Sequence, residues 1–364
     1  MLDTTNEATM GTRRAFFVPL IACCALSAAA CHWARPVTYD LPPGQSVSYS
    51  PSQREPSVAY AKMFCSVLAA EFSQWGECQR YVLMDASYPA EPLKDLRKDW
   101  TVLRIGGFGA QCLARTAEAF EDAGKHLERE HGVETLHVPV GAFDSSEQNA
   151  TTIRDFVLGQ PSQKRFIVVA HSKGAADTLV ALALYGRQLS QIEAVITVAG
   201  AVGGSWLVDR LEWLNEHLLR DLDLPTCIEP PRALGDPNAI DSMRREVRQK
   251  FLAEHEPSTT PAFSITAVSA EAKTSAILRP LWYRVSPYAK EQDSHLVERE
   301  AVVPWGTFLG RAHGDHWAVA MPFDPNPKVT DKQRRKIDHN KFPREALVEA
   351  ALRIAIGRIS PPTP

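Results

Sequence analysis

The chain has 364 residues, 45% of them hydrophobic and 23% charged, enough apolar material for one large or two smaller packed domains. A formal net charge of −3 leaves no electrostatic footprint for nucleic acid. No phosphate-cradling or dinucleotide-binding motif and no Cys/His cluster of zinc spacing is present, so the sequence itself implies neither a cofactor nor a metal.

Residues 1–31 read as an export signal. Arg13 and Arg14 precede the apolar run Ala15 to Ala30, which is too short to span a bilayer comfortably and ends in small residues. Thr12 to Phe17 fits a twin-arginine address, and equally a general secretory signal that begins with two arginines. Leu20-Ile21-Ala22-Cys23 has the form of a lipobox with Cys23 as the lipidated residue. Cys31, after three alanines, is a second acceptor, and plain cleavage near Ala30 is the third reading. The expectation is an exported protein of the periplasm or cell envelope, membrane-associated only through a lipidated Cys23 or Cys31. Residues 32–56 are rich in Pro, Ser and Tyr and read as a tether to a folded domain at 57–360. Four cysteines follow the signal: Cys65, Cys78, Cys112 and Cys227. Cys65 with Cys78 closes a short loop and is the preferred pair, with buried free thiols as the alternative.

Val58 to Phe72 carries apolar residues at helical spacing, and Thr101 to Ile105 is a short β-branched run. A helix is predicted over Ala117 to His131, ending before Gly132, then a strand at Glu134 to Val140 and a helix at Asn149 to Leu158. Phe166 to Ala170 is continuously apolar, as a strand buried on both faces should be. Gly174 to Tyr185 reads as helix, and Ala194 to Ala199 and Phe263 to Val268 as further buried strands. Strands alternating with helices imply right-handed crossovers and a parallel sheet. The pattern changes at about 205–262. There Trp206 to Leu222 is apolar on one face, Ala239 to His255 is a charged helix, and four prolines lie between. The expectation is a helical insertion in the position of a lid, although such a stripe also suits ordinary core packing.

The most specific feature is Ala170-His171-Ser172-Lys173-Gly174, between a buried strand and a helix. A serine hydroxyl becomes a useful nucleophile when a tight turn exposes it beside a base. Small residues two before and two after let strand and helix approach, and Ala170 and Gly174 supply them. Upstream, Gly106-Gly107-Phe108-Gly109 follows a strand directly. Its position makes the Phe108 N–H, with that of Lys173, a candidate donor pair for an oxyanion. Downstream histidines are His295, His313, His316 and His339. His316 is preferred because it follows the apolar run at Thr307 to Leu309, while His313 competes and His339 sits among lysines and arginines. For the acid, Asp293 and Glu300 both qualify. Asp315 adjoins His316 and would point away from it. The Lys173 side chain is read as solvent-facing, with recognition of an anionic substrate as the alternative.

These segments resemble bacterial exported α/β-hydrolases of the lipase and esterase type, over about Val102 to Pro322. The motifs are IGGFG (105–109), VVAHSKGAADTL (168–179), VAGAVGGSWLVD (198–209), QDSHL (292–296) and VVPWGTFLGRAHGDHWAVAMP (302–322). The resemblance implies a mostly parallel central sheet with helices on both faces. It places the nucleophile on Ser172, the base on His316 and the acid on Asp293. It also implies an acyl-enzyme intermediate, no cofactor and a small-molecule or lipid ester as substrate. Ala170 stands where Gly is common, and so does Ser294 after the acid. Thioester hydrolysis, amide hydrolysis and acyl transfer could use the same three residues, and a non-catalytic binding protein on this scaffold is the rival from another class.

Overall fold

Six short runs rich in β-branched and aromatic residues form one sheet: β1 (Thr101–Ile105), β2 (Thr135–His137), β3 (Phe166–His171), β4 (Ile192–Val198), β5 (Ala262–Val268) and β6 (Thr307–His313). In this computed structural model the described residues are 55–109, 117–208, 238–255, 258–324 and 326–359, all within the unit 47–364. The strand order is β2-β1-β3-β4-β5-β6, and every neighbouring pair is parallel. Parallel neighbours need crossovers, which are supplied here by helices on both faces. The helices of seven or more residues are α1 (Val58–Glu71), α2 (Glu121–His131), α3 (Ser146–Leu158), α4 (Lys173–Tyr185), α5 (Arg245–Glu254), α6 (Arg279–Val285) and α7 (Arg344–Ile359).

The two faces of β3 show why its sequence is continuously apolar. Ile167 and Val169 pack with α1, α2 and α7. Phe166, Val168 and Ala170 face α3 and α4. Each of these side chains is fully buried, and burying each of the four larger ones contributes roughly 1.5–3 kcal/mol. β3 is flanked by β1 and β4 in register, Ile105 against Ala170 and Val198 against His171. The C-terminal end of β3 is therefore fixed on both sides just before Ser172.

Several element boundaries differ from those predicted, each for a local reason. The helix expected from Ala117 starts at Glu121, because Phe120 is left-handed (φ 57°) and its N–H donates to Ala320 O. β2 stops at His137. Pro139 has no N–H for a ladder, and the Val140 N–H turns back to Val138 O. α3 begins earlier than Asn149, because Ser145 and Gln148 form a reciprocal capping box. The charged stretch 239–255 is two helices, Asn238–Asp241 and α5, separated by a turn in which Ser242 Oγ donates to Ala239 O. Cys65 and Cys78 are joined by a disulfide with Cα atoms 5.2 Å apart. The export signal, Cys23, Cys31, Cys112 and Cys227, nearly all of the tether and the predicted Trp206 to Leu222 helix beyond Val208 lie outside the described residues.

Candidate active site

Ser172 occupies the sharp turn between β3 and α4 with φ 53° and ψ −125°, a conformation costly for a non-glycine residue. The surroundings enforce it. The Ser172 N–H donates to Ala199 O and its carbonyl accepts from Ala201, so the end of β4 clasps the turn. Gly174 is required here, since a Cβ on it would lie 2.3 Å from Gly106 O. Gly107 is equally constrained, because a Cβ there would lie 2.6 Å from Ser172 Cβ. The first glycine-rich loop thus passes directly over the serine. Its next residue, Phe108, packs edge-on against Phe143 at 5.1 Å and against the apolar group Val208, Ile240 and Met243.

The structure brings Ser172, His316 and Asp293 together. His316 Nε2 is 2.9 Å from Ser172 Oγ, and His316 Nδ1 is 2.7 Å from Asp293 Oδ2. The other oxygen, Oδ1, accepts the N–H groups of His295 and Leu296, at 2.9 and 2.7 Å. The His316 N–H donates to Asp293 O, so backbone and side chain fix the two residues together. Burial holds the His316 imidazole well below its usual range, leaving it neutral. Burial pushes the Asp293 carboxyl up, against the opposing pull of His295 and the two N–H donors. An unprotonated nitrogen within reach of a hydroxyl, steadied by a carboxylate behind it, can accept that hydroxyl's proton.

Two further histidines enclose His316. His295 stacks on it at 4.3 Å with planes 15° apart, and His171 lies 4.6 Å away on a tilted ring. His171 Nε2 is 2.9 Å from His316 O, tying the histidine's own backbone to the strand before the serine. Burial pushes His171 down to about 3, so it is neutral and donates to that carbonyl. Sequence reasoning quoted His171 inside the motif without giving it a task, and its adjacency to Ser172 was the available signal. Ser294, the departure noted after the acid, has φ 86°, which explains why glycine is common there.

The remaining candidates lie elsewhere. Glu300 is buried but is paired with Arg245, Nε to Oε1 at 2.7 Å. Asp315 faces away from the imidazole, accepting the N–H groups of Ser275, Trp317 and Ala318, which shapes the turn that presents His316. His313 points outward at the end of β6, and His339 lies in a loop. The expectation for Lys173 needs correction. Its side chain is neither in solvent nor near a substrate position, but buried beneath the turn, with Nζ 2.7 and 2.9 Å from the two Asp177 oxygens. Asp177 also accepts from Ser146 and Asn149, so the pair knits α3 to α4. A buried lysine needs such compensation, and the i,i+4 acid provides it.

No family model and no curated relative matches the sequence. Among solved structures, a metagenomic carboxyl esterase, MGS0156, is similar over 82% of this chain and 91% of its own, with 29% identity and a TM-score of 0.72. The chain has the α/β-hydrolase fold and is similar to an esterase of that fold. A lipase of Bacillus licheniformis, BlEst2, in its mature form is similar over 62% of this chain and 89% of its own, at 16% identity and a TM-score of 0.49. In this fold Ser172, His316 and Asp293 sit at or after the C-terminal ends of β3, β6 and β5, the edge where ligands of parallel sheets bind.

Proposed function

We propose that the protein is a serine hydrolase of carboxylic esters, working through Ser172, His316 and Asp293. The observation that carries this reading is the continuous hydrogen-bonded chain from Ser172 Oγ through both nitrogens of His316 to Asp293 Oδ2. His316 takes the serine proton as Oγ attacks the ester carbonyl, and the Phe108 and Lys173 N–H groups hold the oxyanion. Asp293 orients the imidazole and stabilises the imidazolium. The alkoxide leaves with the proton from His316, and water, activated by the same histidine, releases the acid from the acyl enzyme. The carboxyl esterase activity named for the structurally similar MGS0156 favours esters over amides.

The apolar group beside Phe108 supports an acyl pocket that suits medium chains better than acetate. Trp206 is engaged elsewhere, stacked on Tyr288 at 4.4 Å and covered by Arg245. The Cys65–Cys78 disulfide and the basic-apolar N-terminus support action outside the cytoplasm, with membrane attachment through Cys23 or Cys31. A fluorophosphonate probe tests the reading directly. Wild type is labelled and Ser172→Ala is not, with p-nitrophenyl butyrate or hexanoate cleaved faster than acetate. Labelling that persists in folded Ser172→Ala would sink it.

A further inference from the structure

Away from the serine, three helices bring four ligand-type side chains to one point. Glu71 ends α1, His126 and His131 lie on α2, and Glu349 lies on α7. Their ligand atoms, two imidazole nitrogens and two carboxylate oxygens, all fall within 4.8 Å of one another. His126 Nε2 is 2.8 Å from Glu349 Oε2 and 3.2 Å from Glu71 Oε2. His131 Nε2 is 3.1 and 3.3 Å from the same two oxygens. Ligands at about 2.0–2.1 Å around a tetrahedral ion are separated by about 3.3 Å, close to these four distances.

We propose that this cluster is a structural site for a divalent transition metal of the zinc class. Three observations favour an ion over a plain ion-pair network. The Nε2 of His131 is buried and aligned for a hydrogen bond with neither carboxylate, though it is near both, so it is directed at the space between them. Arg353 engages the opposite oxygens, 2.7 Å from Glu349 Oε1 and 3.9 Å from Glu71 Oε1, which orients both carboxylates while leaving each Oε2 turned inward. Glu349 is fully buried, and a carboxylate there needs strong compensation. A groove lined by Phe72, Gln74, Arg129 and Glu130 leads to the cluster. Two nitrogen and two oxygen donors suit zinc rather than calcium or magnesium. Four protein ligands close the coordination shell, so the ion would fasten α1, α2 and α7 together and take no part in ester chemistry.

The test uses the tag-free full chain, stripped with a chelator and titrated with zinc chloride, then with calcium chloride. One equivalent of zinc should bind with Kd below about 1 µM, raise Tm, leave ester hydrolysis within about twofold, and show two imidazoles and two carboxylates by X-ray absorption. His131→Ala and Glu71→Gln should each lose that equivalent and retain hydrolysis at 25 °C. Absence of saturable zinc binding by wild type would overturn the proposal, as would equal binding of calcium. It would also fail if the first equivalent abolished hydrolysis, because Asp293, His295 and His316 form another group of suitable ligands among the described residues. If either variant fails to fold, the wild-type stoichiometry, spectrum and retained activity decide the question alone.

Discussion

Among the described residues, two histidine–carboxylate clusters are built to opposite ends. Around Ser172, one carboxylate serves one imidazole, and two neutral histidine rings enclose that imidazole. Across α1, α2 and α7, two carboxylates face two imidazoles, with Arg353 behind them. Burial dominates the first and drives His316 down. In the second, the adjacent Glu349 carboxylate draws His131 up. The same side-chain types therefore suit a proton acceptor in one place and the proposed ligand set in the other. The ratio of carboxylate to imidazole, and what surrounds it, decides between them.

The largest expected effect lies in the first cluster. Ser172→Ala should lower kcat by at least about four powers of ten while zinc uptake by the second cluster stays unchanged, which separates the two regions cleanly. Asp293→Asn should lower kcat about 10³–10⁴-fold, since the amide favours the wrong imidazole tautomer. Glu300→Gln should change kcat by less than about tenfold, yet lower Tm, because it weakens a buried ion pair with Arg245. The reverse pattern would move the acid's role to Glu300.

The pH profile sharpens the contrast further. In the proposed mechanism activity needs neutral His316, and burial depresses its protonation. The acid limb of kcat/KM should therefore fall below the ordinary histidine value of about 6.5, with full activity above it. A midpoint at or above 6.5 would mean the imidazole is better solvated than its surroundings indicate. The smallest effect on catalysis is expected from Cys65→Ser with Cys78→Ser. Opening that loop should cost about 3 kcal/mol of stability by denaturant unfolding, with kcat unchanged at 25 °C.

The sheet and the serine turn were legible because local sequence dictates them. Phe166 to Ala170 has only buried positions to fill, and Ala170 and Gly174 satisfy a steric demand visible at fixed spacing. His316 was legible from its place after a strand. Lys173 was misread, because its burial depends on Asp177, Ser146 and Asn149 meeting beneath the turn. The second cluster gave no sequence signal. His126 and Glu349 are 223 positions apart, and only the packing of α7 on α2 unites them. β2 was overextended because Pro139 interrupts an otherwise strand-like run.

The close passage of Gly107 over Ser172 also limits how this site can be varied. Any side chain at 107 would collide with Ser172 itself, so a mutagenesis library gains nothing at that codon. Phe108 is one residue farther along, and its ring rests on Val208, Ile240 and Met243. Under the proposed function, variation in what is accepted is thereby channelled into that neighbouring group, where shape can change without moving Ser172, His316 or Asp293.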